Sequence, residues 1–124
     1  MKTYKTLLLK EDKQIFIEMS NLNTDDTGMT KGWIRVSSKE GKHFKGRVKY
    51  YRDRPSDSTS SASISISPKP DIMNDSINIT TNEKKQVFQF VIINYKKLNK
   101  MWFEGGSMHY KEWEQILHSL KKIG

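Results

Sequence analysis

The chain has 124 residues, 35% of them hydrophobic, which suits one domain with a modest core and is too little for two ordinary ones. It contains no cysteine, which excludes a disulfide framework, a thiol nucleophile, an iron–sulfur cluster and any cysteine-based zinc site. Lys and Arg number 22 against 14 Asp and Glu, a net charge of +8.

No stretch approaches the roughly 18 consecutive apolar residues of a membrane span or the about 7–15 of a signal peptide, so the expectation is a single intracellular, non-secreted domain over residues 1–124. The positive excess is local. Residues 31–54 hold nine bases against two acids, whereas 1–30 and 55–95 each sum to −1 and 96–124 to +3. Such a block marks a place where an anion docks, with nucleic acid the first candidate and an acidic protein surface the second.

In chain order, the apolar runs Thr6 to Leu9 and Ile15-Phe16-Ile17, separated by Lys10 to Lys13, read as a hairpin-like pair of strands. Asn21 to Gly28 is dense in turn formers and reads as a surface loop. From Gly32 the pattern alternates, with Ile34 and Val36 on one face and Trp33, Arg35 and Ser37 on the other. A turn at Lys39 to Lys42 leads to a second strand with Phe44, Gly46, Val48 and Tyr50 on one face and Lys45, Arg47, Lys49 and Tyr51 on the opposite one.

The serine-rich tract at 55–62 is expected to be a flexible loop. Ile64 and Ile66 alternate with Ser63, Ser65 and Ser67, and Ile77 and Ile79 with Asn78 and Thr80, so each group reads as a strand with an uncharged polar outer face. The run from Val87 to Tyr95 is β-branched and aromatic on both faces and reads as a central strand; Met101-Trp102-Phe103 begins another, ended by Gly105-Gly106. Tyr110, Trp113, Ile116, Leu117, Leu120 and Ile123 fall at helical spacing. The expected fold is α+β: a mostly antiparallel sheet of about six to eight strands with one C-terminal helix.

Chemistry is sparse. His43, His109 and His118 show no paired ligand spacing, no phosphate-cradling glycine motif is present, and Asp25-Asp26, Glu112 and Glu114 read as solvated charges. No metal, no cofactor and no catalytic residue is expected. A ribonuclease-like pair of His43 and His118 loses to the plainer reading of two surface histidines, and Asn78-Ile79-Thr80, a glycosylation sequon on paper, reads as strand.

The basic strand pair has the two ingredients that single-stranded nucleic acid needs, cations for phosphates and aromatic faces for bases. Arg35, Lys45, Arg47, Lys49 and Arg52 are the expected phosphate contacts, Trp33, Phe44 and Tyr51 the stacking residues, and Gly46 a point of close backbone approach. The alternative is a small interaction module or inhibitor docking this face on an acidic protein.

At the same residues, His43-Phe44-Lys45-Gly46-Arg47-Val48, after the strand Trp33 to Ser37, is similar to the Phe-Lys-Gly-Lys-Val run of the positive cofactor four type of transcriptional coactivator. Gly105 to Trp113 resembles that family's strand end followed by a helix bearing Trp. The resemblance implies single-stranded DNA binding as a transcription or replication accessory, with Phe44, Lys45, Gly46 and Arg47 as contacts, and homodimerisation through the helix.

Overall fold

The computed structural model describes residues 3–8, 16–39 and 45–124. They form strands β1 (Thr3–Leu8), β2 (Phe16–Leu22), β3 (Trp33–Ser37), β4 (Arg47–Tyr51), β5 (Ala62–Ser65) and β6 (Ile72–Asp75) and helices α1 (Thr24–Thr27), α2 (Thr81–Glu104) and α3 (Tyr110–Ser119), with a 3-10 turn at Gly105–Ser107. The strands make one antiparallel sheet in the order β1-β2-β3-β4-β5-β6, each paired with its neighbour in sequence. The fold is thus α+β with an antiparallel sheet.

Five of the strands read from the sequence correspond to β1 to β5. Three others are not strands, and the helix at the C-terminus is not the one helix of the chain. Val87 to Tyr95 and Met101 to Phe103 both belong to α2. The long helix starts at a capping box in which Thr80 Oγ1 accepts from the Glu83 amide and Glu83 from the Thr80 amide. Its buried positions, Val87, Phe90, Val91, Asn94, Leu98, Met101 and Trp102, recur at helical spacing, and packing that stripe on the sheet outweighs the strand preference of its β-branched residues. Asn78 to Thr80 is likewise no strand: Asn78 takes a positive φ of 56° and Thr80 is the helix cap. The expected loop at 21–28 holds the end of β2 and α1, and the segment after Ser67, which contains Pro68 and Pro70, leads into β6.

The core lies between one sheet face and the helices. Leu22, Ile34, Val36, Val48, Tyr50, Ala62, Ile64 and Ile66 meet the buried stripe of α2 together with Trp113 and Leu117 of α3. The Trp113 indole N–H donates to Ser20 Oγ at 2.9 Å, tying α3 to β2, so this apolar helix face is covered within the chain. Helix α3 ends at Ser119, earlier than its apolar spacing suggests, and the remaining residues run back over α2. There the buried Asn94 amide accepts from the Lys121 N–H at 2.8 Å and donates to its carbonyl at 2.9 Å, while the Ile123 N–H donates to Thr27 O. Among the described residues, no helix is long and apolar enough to cross a membrane.

Gly32 enters β3 at φ +86°, and a Cβ there would lie 2.4 Å from the Tyr50 ring. Gly32→Ala is therefore expected to cost roughly 2 kcal/mol or more through the left-handed backbone and the displaced ring, read as a lowered urea midpoint.

Candidate nucleic-acid interface

The sheet face opposite the core carries the side chains that alternate with the buried ones. Trp33 and Arg35 of β3 stand directly opposite Tyr51 and Lys49 of β4, and Arg47 and Lys49 stand opposite Ser65 and Ser63 of β5. The two faces divide as the alternation implies: Ile34, Val36, Val48 and Tyr50 are buried in the core, while Trp33, Arg35, Arg47 and Lys49 are half-buried on the outer side and Lys45 is exposed.

Arg35 and Lys49 form a directly opposed pair of like charges, an arrangement that works against a sheet. On this face β3, β4 and β5 present Arg35, Arg47 and Lys49, with Trp33, Ser37, Tyr51, Ser63 and Ser65 and no acid. The Arg35 guanidinium is held in place: its Nε donates to Asn21 Oδ1 at 2.8 Å, and its centre lies 5.0 Å from the Tyr51 ring centroid. Lys45 and Lys49 have no ion-pair partner among the described residues.

The other expected contacts sit differently. Tyr51 is only 3% exposed beneath Arg35, so its ring is not open for a base to stack on. Gly46 faces the core, where a Cβ would lie 2.9 Å from Asn99 Oδ1 and 3.3 Å from Trp102 Cγ; the close approach it permits is that of α2. Phe44, and His43 beside it, lie outside the described residues. Trp33 is the expected stacking residue with accessible surface among those described.

Arg52 is taken up inside the chain. Its Nε and Nη2 donate to the two oxygens of Glu83 at 2.9 and 2.7 Å, Tyr50 Oη donates to the same carboxylate at 2.8 Å, and Lys31 Nζ lies 3.7 Å away. The Arg52 guanidinium, together with the Thr80 and Tyr50 donors, holds the Glu83 carboxyl well below the usual carboxylate range despite burial, while burial and the Glu83 carboxylate push the Tyr50 hydroxyl up. This bidentate pair fastens the start of α2 to the end of β4.

Sequence reasoning missed Asn21, whose amide orients Arg35; the alternation of β2 continues through Leu22, which was the available signal. Of the ribonuclease pair, His118 is exposed on α3 with Nε2 3.3 Å from Glu114. Among the described residues no group of His, Asp or Glu is arranged to hold a metal ion. Compared with protein-family models, curated proteins and solved structures, the chain matches none.

Proposed function

We propose that the protein binds single-stranded DNA or RNA, without catalysis and with little regard to sequence, across the outer face of β3, β4 and β5. The observation that carries this reading is the opposed Arg35–Lys49 pair, continued by Arg47 on β4, on a face of β3–β5 that holds no acid, with the exposed Lys45 in the bend just before that strand. Like charges so placed repel one another until a polyanion lies between them, and a phosphate chain supplies it. Arg35, Lys45, Arg47 and Lys49 contact phosphates in this reading, and Trp33 supplies the stacking surface. The resemblance to the coactivator family at Lys45 and Arg47 adds to it. An intracellular location, where such nucleic acid is found, belongs to the same proposal.

The test is fluorescence anisotropy of labelled single-stranded and duplex oligonucleotides over a salt series, with heparin as a polyanion control. Single-strand affinity above that for duplex and heparin, falling steeply with salt, is expected. Equal and weak binding of all three reduces this surface to a charged face. Within the same experiment, Trp33→Ala is expected to cost about 1–3 kcal/mol of single-strand binding, roughly 5- to 150-fold, while leaving the salt dependence unchanged, because stacking releases no counterion.

A further inference from the structure

The solvent side of α2 is a second, separate cationic surface. Lys84, Lys85, Lys96, Lys97 and Lys100 are exposed on this helix, whose acids are Glu104 at its end and Glu83, buried against Arg52. Large apolar side chains stand among the lysines: Ile92 is 44% exposed, Ile93 41% and Phe103 54%. At roughly 100° of rotation per residue, Ile92, Phe103, Lys85, Lys96, Lys100 and Ile93 fall within an arc of about 100°. Beside this arc, where the C-terminal residues cross the helix, lies an open hollow of about 380 Å³ lined by Ile93, Asn94, Tyr95, Lys96, Lys97 and Lys121.

We propose that this face docks a protein partner through an acidic amphipathic segment, one apolar side chain entering the hollow over Ile93 while neighbouring carboxylates pair with Lys96, Lys100 and Lys121. Charge and pattern select this occupant. A second copy of the chain would oppose five ammonium groups to five others. A bilayer accepts a helix whose apolar and charged residues are segregated, whereas here Lys85 and Lys96 lie between Ile92 and Ile93 around the helix and would be carried into the hydrocarbon with them. Nucleic acid would find one aromatic face here, Phe103 near the end of the helix, and gains little from Ile92 and Ile93, which make up the rest of the apolar surface. An acidic segment with apolar side chains at helical spacing satisfies both classes of residue at once.

The experiment uses the full chain and a labelled 16-residue peptide of Leu and Glu in helical repeat, alongside the same peptide with Gln for Glu and with Ser for Leu. The acidic apolar peptide is expected to bind, and each control at least tenfold more weakly. Ile93→Ser and Lys96→Glu, both at exposed positions, are expected to weaken peptide binding at least tenfold while leaving the thermal midpoint and single-strand oligonucleotide binding unchanged. The proposal is overturned if the Gln peptide binds equally well, if no peptide binds, or if the two variants bind as the parent does. It is also overturned if vesicles of phosphatidylserine and phosphatidylcholine displace the peptide, or if Lys96→Glu weakens oligonucleotide binding, which would give this face to lipid or to nucleic acid. Retained peptide binding with no oligonucleotide binding by the parent chain would remove the sheet-face reading alone.

Discussion

Replacing Lys45 and Lys49 together by glutamate is expected to weaken binding of a single-stranded oligonucleotide by roughly 25-fold or more at 0.1 M salt and to leave the domain folded. Each phosphate neutralised on a single strand contributes about 0.7 to the exponent of the salt dependence, so two lost contacts remove about 1.4 from it, which at 0.1 M is a factor near 25 before any repulsion from the new carboxylates. Both side chains lack ion-pair partners among the described residues, and Lys49 sits opposite Arg35, so a carboxylate at that position gains an attractive neighbour. The salt slope is the informative readout. A loss of affinity with an unchanged slope would mean that the lysines touch no phosphate, and unchanged affinity in a folded double variant would end the sheet-face reading. Arg47 is the poorer choice for this test because it is half-buried and engaged within the chain.

The second large effect is on stability. Glu83→Gln is expected to cost roughly 3 kcal/mol, because it leaves the Arg52 guanidinium without its bidentate partner and removes the charged acceptor from the Tyr50 hydroxyl. Arg52 retains 33% side-chain exposure and regains some hydration, which keeps the loss below that of a fully enclosed charge. The pH dependence follows from the depressed carboxyl. An unfolded chain binds a proton at Glu83 near the ordinary value of 4.5, whereas the native state resists it. The stabilisation is therefore fully present above that pH and is lost as the pH falls toward the native value. The parent protein should lose more of its urea resistance between about pH 5 and pH 3 than the Gln variant does. Parallel losses in the two proteins would show that Glu83 is not held as its partners imply.

The strand faces were legible because alternation alone decides them. Ile34 and Val36, and Val48 and Tyr50, point where a period of two puts them, and the basic residues between them necessarily share the other side. The run from Val87 to Tyr95 misled because its composition is that of a strand, while the evidence for a helix lay outside it, in the Thr80–Glu83 cap and in the continuation through Leu98, Met101 and Trp102. Asn94 disguised the stripe further, being a buried polar residue at an apolar position, and its reason is visible only once Lys121 folds back on it. The candidate contacts divide in the same way. Lys49 and Trp33 depend on local alternation and lie on the expected sheet face, Lys45 sits in the bend before β4, and Arg52 and Gly46 were claimed by a helix that begins about thirty residues later in the sequence. Tyr51 lies on the expected face yet is covered by its cross-strand neighbour Arg35, which a reading of one strand at a time does not reveal.

The meander order of the sheet fixes a sequence of events during synthesis. Every strand pairs with the one made just before it, so β-pairing proceeds hairpin by hairpin at low contact order as the chain emerges. The apolar face that those hairpins create is covered by α2, which starts at Thr81, and by α3, whose Trp113 reaches back across 93 positions to Ser20. At about 5–20 residues per second the nascent sheet leaves Ile34, Val36, Val48 and Ile64 uncovered for some seconds before its own helices arrive. The pairing is local and early, whereas the cover over the apolar face comes late, with the last third of the chain.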